Sequence, residues 1–588
     1  MTVHEEELLR RIKELEKENG YLHRQIKEQR YGLTWIDVPE AFEKASENKI
    51  PILEEVKDKS FTDDSKKPTH ILIEGDNYHA LTCLQYTHKG KIDIIYIDPP
   101  YNTGSDGFTY KDKRILTEFP DGTPVPKDHP LRHSYWLSFM HKRLELAKNL
   151  LSDDGVIFIS IDDNEQANLK LLCDKVFGDN NYVDTLHWKR KKQPSFLAKH
   201  TAKVMEYVLV YAKKWDNLGK LSIETLSDAT KKVVNLTNQE SIRHFSKGVR
   251  VKCGNSGVIK KGKYTIKTMS VEYLNNVVYE NGETINDVDV KAMFSVSQEK
   301  IDSYISQKLL FITANYGLRR DVAEEETNNE KAITDLLLDW GDNQDSEKEL
   351  KDIFQDKLFD YSKPIKLISN LLKSASDGES IILDFFAGSG TTLHATLKLN
   401  AEDRGTRQCI LVQQNEGEKR ICEEVTYERN RRVMQGYTNA KGEQIDGLGG
   451  SLKYYKTAFT GTGNPHRDPI MLPSDEDRIS LAQNAGVLVS LAENTLYEIV
   501  KNDYYQIFTD NHGRFAAVYL QEDLKQFEDF KQGIEKLGGN VTVYIFSWGN
   551  NPDAANAFMH LPNVEVKSYP NAILDAYKSA MQQIESQK

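Results

Sequence analysis

Apolar runs that end in polar turns and alternate with helix-period segments constrain this chain more than anything else in it. HILIEGD (70–76), KIDIIYIDPPY (91–101) and VIFISIDD (156–163) are such runs, and SYWLSFMHKRLELAKNLL between them has helical period. Strands without polar alternation, separated by helices, need a sheet covered on both faces, which predicts a parallel α/β architecture. The pattern returns late in the chain. ESIILDFFAGSGTTLHATLKLN reads as strand, Gly-rich turn and helix, and QCILVQQNE (408–416) as the next strand. The chain has 588 residues, room for about three to five domains.

The pattern divides the chain. Residues 1–32 carry Leu8, Ile12, Leu15, Asn19, Leu22 and Ile26 at alternating spacings of four and three. That is a heptad seam with β-branched residues and Asn at a and Leu at d, an arrangement suited to a two-stranded coil. Residues 33–184 hold the first strand-and-helix block, and 361–456 hold the second. Between them, 185–360 lose helical period and read as an insert rich in short strands and loops. Residues 457–478 read as a linker and 479–588 as a small α/β domain, suited to dimerisation or partner docking. Gly257–Lys263 nearly fits a phosphate-binding loop, but Tyr264 stands where Ser or Thr is required and no helix pattern follows. It is read as a hairpin-like turn.

Composition removes several function classes. Lys and Arg number 77 against 89 Asp and Glu, a net charge of −12, so a uniformly basic nucleic-acid binder is excluded while a local basic cleft is not. The five cysteines (Cys83, Cys173, Cys253, Cys409, Cys422) are scattered, which argues against a disulfide framework and a structural zinc site. No metal is expected. No run approaches the ~18 apolar residues of a membrane span, and the charged start MTVHEEELLRRIKELEKENG is unlike a signal peptide. The expected compartment is the cytoplasm.

Two motifs carry chemistry. Asp98-Pro99-Pro100-Tyr101 closes an apolar strand, and ligands of open α/β sheets bind beyond the carboxyl ends of strands. Asp98 and the Pro99 carbonyl can accept hydrogen bonds from an exocyclic amine, and Tyr101 can stack on the ring that bears it. Asp384-Phe385-Phe386-Ala387-Gly388-Ser389-Gly390-Thr391-Thr392 runs from a strand into a helix. Its glycines permit close backbone approach, and the helix start offers N–H groups to an anionic group such as a carboxylate.

Together the motifs resemble those of amino methyltransferases that use S-adenosylmethionine. Their order, with DPPY first and a long insert between, is similar to the β group of DNA amino methyltransferases. IEGDNYHAL (73–81), IYIDPPYNTGSDGFTYKD (95–112), WLSFMHKRLELAKNLLSDDGVIFISIDDNE (136–165), YSKPIKLISNLL (361–372) and LDFFAGSGTTLHA (383–395) resemble the modification subunit of type III restriction–modification systems over about residues 30–455. The resemblance implies a Rossmann-like methyltransferase fold with a mostly parallel seven-stranded sheet, circularly ordered around an inserted target-recognition domain. It implies that Asp98, Pro99, Pro100 and Tyr101 hold the target base. It implies that Asp384, Phe386, Gly388, Ser389, Gly390 and Thr391 hold S-adenosylmethionine, with Asp76 and Asn77 near its adenine and Lys363-Pro364 opening the helix beside the loop. One position departs from the family: the acid expected on the ribose hydroxyls is Gln413, with Glu416 a substitute if the strand runs longer.

The implied reaction is methyl transfer to adenine N6 in a short motif of double-stranded DNA by base flipping. Cytosine N4 and a catalytically silent DNA-recognition subunit are the alternatives. A homodimer is expected, and any cleavage would need a separate ATPase and nuclease subunit. His187–Lys214 holds eight Lys and Arg against one acid, Glu206. Within it Lys189, Arg190, Lys191, Lys192 and Lys199 are candidate phosphate contacts, together with Arg319 and Arg320.

Overall fold

Strands whose side chains are buried on both faces build the core of the larger unit, as the unbroken apolar runs require. The computed structural model describes residues 35, 48–63, 67–103, 130–194, 198–225, 230–235, 237–266, 269–323, 330–356, 358–415, 420–464, 467–549 and 555–586. The heptad-patterned start and Glu416 lie outside the described residues. Two compact units are present, residues 220–333 and the remainder of the chain.

The main sheet of the larger unit comprises β1 (Ile50–Glu55), β2 (Thr69–Glu74), β3 (Ile92–Ile97), β4 (Leu151–Ile161), β5 (Tyr182–Lys189), β6 (Met205–Ala212), β7 (Leu336–Leu337), β8 (Ile381–Asp384), β9 (Gln408–Gln413) and β10 (Ser451–Thr460). Its order is β1-β10-β2-β9-β8-β3-β4-β6-β5-β7. Only β1 and β6 run against the rest. Among the described residues the sheet therefore has ten strands where seven were expected. Ser451–Thr460, partly assigned to a linker, adds two strands at one edge by pairing with β2 and β1, and Leu336–Leu337 adds one at the other by pairing with β5.

Helices α1 (Asn77–Thr87), α2 (Pro130–Leu150) and α3 (Gln166–Phe177) pack on one another, while α5 (Ile365–Ala375) packs on α6 (Thr391–Asp403). A further helix, α4 (Asn343–Phe354), precedes α5. From β8 the chain passes through α6 to β9 toward one edge; from β3 it passes through α2 to β4 toward the other. Because β3 and β8 are neighbours, the strand order reverses between them, and their carboxyl ends open a crevice. The late strands β8 and β9 stand between β2 and β3, and β10 between β1 and β2, because the insert loops out and the chain returns to the sheet.

The inserted unit is narrower than the 185–360 expected from sequence. Residues 182–189 and 205–212 hydrogen-bond into the main sheet beside β4 and so belong to the larger unit. Residues 220–333 form their own seven-stranded and four-stranded sheets. Their core gathers Phe245, Val271, Tyr273, Val290, Ile301 and Leu318. Gly257–Ile259 and Gly262–Ile266 are not the two arms of one hairpin. The first pairs with Val277–Glu280 and the second with Met269–Tyr273, in different sheets. The tail forms a five-stranded sheet, and its last helix, α8 (Asn571–Ser586), packs on α1 and α2; a shorter one, α7 (Gly486–Ala492), also packs on α1.

Candidate active site

At the reversal point a cavity of about 790 Å³ is lined by Asp98, Pro99, Pro100 and Tyr101 from the end of β3 and by Asp384–Ser389, Thr391 and Thr392 from the end of β8. Two segments nearly 290 residues apart in sequence thus share one wall. Trp136 on α2 donates Nε1–H to the Pro100 carbonyl at 2.7 Å. With two proline rings this fixes the turn after Asp98.

The Asp98 carboxylate is the centre of a charged cluster. Tyr101 donates its hydroxyl to Asp98 Oδ1 at 2.7 Å. Lys363 donates Nζ–H to Asp98 Oδ1 and Oδ2, each at 2.8 Å, and to Tyr101 Oη at 2.7 Å. Glu206 Oε2 lies 3.7 Å from the same Nζ, and Arg190 donates to Glu206 Oε1 at 2.7 Å. Burial opposes the Lys363 charge, yet the pull of Asp98 and Glu206 holds its pKa above the ordinary lysine range. Burial, then Asp98, pushes the Tyr101 phenol well above 10, so it remains a donor. The Lys363 carbonyl lies beside the Gly-rich loop and accepts from the Thr391 hydroxyl at 3.4 Å, while its ammonium reaches the acceptor of the DPPY turn. Pro364 caps α5.

The Gly-rich turn is held from behind. Asp384 is buried and accepts from Phe386 N at 3.0 Å and from the Thr392 hydroxyl at 2.6 Å. Burial raises its carboxyl to about 7. Gly388 and Gly390 have φ of +52° and +75°, which side chains adopt at a cost. Gly388 N–H donates to Gln413 Oε1 at 2.7 Å, so the residue replacing the family's acid is tied to the loop. Ser362, Ser389 and Thr391 hydroxyl oxygens lie 2.8–3.1 Å apart. The fully buried Arg429 donates to Ser389 Oγ at 2.9 Å and Thr391 Oγ1 at 2.7 Å. Burial lowers the Arg429 pKa to about 10, against the pull of Glu349.

Asn77 donates to the Phe385 carbonyl at 3.0 Å and accepts from the buried Arg143 at 2.5 Å. Asp76 caps α1 through Tyr78 N and pairs with Arg143 at 3.3 Å. Asn77 therefore faces the cavity, whereas Asp76 supports it from outside. Arg143, Arg429 and Glu206 were not singled out as site residues. A signal existed for the first two. Arg143 is three residues from Met140 and four from Ala147, and Arg429 is four from Val425 and Val433, so both fall on buried helix faces.

The basic stretch is partly consumed by internal pairs. Lys192 meets Asp342 at 3.3 Å and Asp345 at 3.4 Å, Lys203 meets Asp163 at 2.7 Å, and Lys214 meets Asp153 at 2.6 Å. Arg190 and Lys191 line the cavity. Lys191 and Lys199 are exposed, and Lys189 is half-buried. Within the inserted unit Arg319 donates to Thr230 at 2.8 Å. Arg320 is 6% exposed beneath the Tyr304 ring, so it presents little surface to a ligand.

The cavity fits S-adenosylmethionine. A side chain at Gly388 would project toward the cavity-lining Phe359 ring at 3.4 Å, so glycine leaves room there. The hydroxyl cluster backed by Arg429 suits a carboxylate, and Asn77 and Gln413 offer hydrogen bonds beside the apolar Phe139 and Phe386.

Comparison with known proteins agrees with this chemistry. The family described as "DNA methylase" matches residues 92–424. The Mod subunit of the type III restriction-modification enzyme StyLTI of Salmonella typhimurium is 34% identical over 65% of this chain and 58% of its own length. The EcoP15I Mod subunit of Escherichia coli is 30% identical over 67% of this chain and 66% of its own. The type II methyltransferase M.KpnI of Klebsiella pneumoniae is 30% identical over 62% of this chain and 84% of its own. The alignment thus reaches less than two thirds of the two Mod subunits. The chain belongs to the DNA methylase family.

Proposed function

We propose that this protein transfers a methyl group from S-adenosylmethionine to adenine N6 in double-stranded DNA. The observation that carries the reading is the meeting of the DPPY turn and the Gly-rich turn in one cavity at the strand-order reversal. A buried duplex atom cannot reach such a cavity, so the target nucleotide must be flipped out. Asp98 accepts from the exocyclic amine, as does the Pro99 carbonyl, and this orients the nitrogen lone pair. The Tyr101 ring stacks on the base while its hydroxyl steadies Asp98. Trp136 keeps the turn from relaxing. Asn77, Gln413 and the Ser362–Ser389–Thr391 hydroxyls hold the cofactor's polar ends, which supplies the activated methyl. Asp98 is not required to deprotonate the amine first; the proton leaves after transfer.

Asp before Pro-Pro-Tyr favours adenine N6 over cytosine N4 in the resembling family. The inserted unit suits DNA reading: residues 220–333 carry 17 Lys and Arg against 15 Asp and Glu, in a chain of net charge −12. Lys189, Lys191 and Lys199 are proposed phosphate contacts. The likeness to Mod subunits supports a place in a type III-like restriction–modification system with a separate restriction subunit, and a homodimer is part of the proposal.

Purified protein incubated with labelled S-adenosylmethionine and unmethylated genomic DNA tests the reading. Hydrolysed DNA should contain N6-methyldeoxyadenosine. N4-methyldeoxycytidine would move the acceptor to cytosine, and no labelled nucleoside despite cofactor binding would overturn the reading.

A further inference from the structure

We propose that Lys363 holds the place of the target amine while no base is bound, and that Glu206 receives its ammonium when the base enters. The inference rests on the amine-methylation reading above and deepens it. An exocyclic amine entering the cavity needs an oxygen of Asp98. Both oxygens are already engaged, each by Lys363 Nζ at 2.8 Å, and Oδ1 also accepts from Tyr101. The ammonium therefore makes the contacts that the amine must make, and the two cannot share them. Entry of the base requires Lys363 to leave at least one oxygen.

The cluster provides a second seat. Glu206 Oε2 lies 3.7 Å from Lys363 Nζ, within reach of a small rotation of a flexible side chain. Glu206 is only 5% exposed, and its other oxygen is fixed by Arg190. The Tyr101 and Trp188 rings stand 5.0 and 5.7 Å from Nζ and flank the ammonium. Trp188 is itself anchored through Nε1 to the Gly341 carbonyl at 2.8 Å. The lysine can thus change carboxylates without leaving the cavity.

Electrostatics gives the movement a purpose. As the methyl arrives, positive charge develops on the amine nitrogen, and Asp98 stabilises it. A second cation on the same carboxylate opposes that charge. A cation on Glu206 does not, and it leaves the buried Glu206 and the half-buried Asp98 each with a partner. Glu206 is thus a positioning residue that acts through Lys363.

Four proteins test this: wild type, Lys363→Met, Glu206→Gln and the double variant. Each is assayed for kcat and DNA KM on unmethylated genomic DNA, and for S-adenosylmethionine affinity by calorimetry, which also reports folding of the site. Lys363→Met should lower the DNA KM about tenfold, the effect of one lost competing ion pair. Glu206→Gln should raise it by a similar factor, because the ammonium then has only Asp98. The double variant should behave as Lys363→Met. Cofactor affinity should stay within about threefold throughout, less than 1 kcal/mol. A raised DNA KM or about tenfold weaker cofactor binding in Lys363→Met would overturn the inference, as would a Glu206→Gln effect that persists in the double variant. Absence of any transfer by wild type would instead reject the DNA-methylation reading, and this inference with it.

Discussion

Gly390→Ala should cost most of the cofactor affinity, and the size of the loss can be worked from the turn. At φ +75° an alanine is strained by roughly 1 kcal/mol. Its Cβ would stand 2.3 Å from Asn430 Nδ2 and 3.2 Å from the Thr426 carbonyl. Asn430 donates to the Thr426 carbonyl at 2.8 Å and to the Gly390 carbonyl at 3.3 Å. Driving the amide away costs about 1 kcal/mol for each of those bonds. The backbone behind the turn cannot retreat, since Thr426 also donates to the Gly388 carbonyl at 2.6 Å. The turn must therefore shift toward the cavity, and about 3 kcal/mol becomes roughly a hundredfold loss of S-adenosylmethionine affinity. Gly388→Ala is the control. Its φ is +52°, but its Cβ meets the Phe359 ring at 3.4 Å and the Phe386 carbonyl at 3.8 Å, both without a clash, so only the strain of about 1 kcal/mol applies, a loss of roughly fivefold to tenfold. Titration calorimetry measures both, with circular dichroism melting as the check on folding. Gly390→Ala binding within about threefold of wild type, or weaker binding by Gly388→Ala than by Gly390→Ala, would refute the reasoning.

Other outcomes follow from neighbouring groups. Burial lifts Asp384 to about 7, so the folded protein keeps a proton that the unfolded chain releases near pH ~4. Stability should therefore fall as pH rises between those values and level off above them; Asp384→Asn, which lacks the titration, should gain about 2–3 kcal/mol on wild type between pH ~5 and pH ~8 in urea unfolding. Parallel pH profiles would contradict this. Glu165 is fully buried and accepts from Asn102 at 2.6 Å, His133 at 2.7 Å and Asn168 at 2.8 Å. Because Asn102 follows Tyr101 and sits at φ +54°, Glu165→Ala should release that loop and slow single-turnover methyl transfer about tenfold with cofactor affinity kept; lost cofactor affinity would argue against a local effect. Arg429→Met should weaken S-adenosylmethionine about tenfold and leave the decarboxylated analogue unchanged in calorimetry. Equal weakening of both would assign Arg429 to packing alone.

Much of the architecture was legible because parallel strands buried on both faces leave an unmistakable apolar run, as in the IDIIYI of β3. The two motifs were legible because Pro-Pro and Gly-Ser-Gly restrict or free the backbone in ways few other residues can. What escaped was whatever depends on contacts distant in sequence. The pairing of β10 with β1 and β2 turned part of a supposed linker into the sheet's edge. Periodicity could not separate β5 and β6 from the insert, since only their hydrogen bonds to the sheet assign them. Lys363 illustrates the same limit at the site. Its place beside Pro364 is visible in sequence, but the reach of its ammonium to Asp98, 265 residues away, is not. The charge run at 187–214 likewise read as a surface for phosphates, while acids from other segments neutralise much of it.

The central claim is that the Asp98–Tyr101 turn presents a DNA amine to the cofactor. Modification-sensitive sequencing of genomic DNA tests it most directly, using cells that express the intact protein and cells that express Asp98→Ala. The account predicts N6-methyladenine at one short motif with the intact protein and none with Asp98→Ala, although the variant still binds S-adenosylmethionine. The same mark in both strains would contradict it.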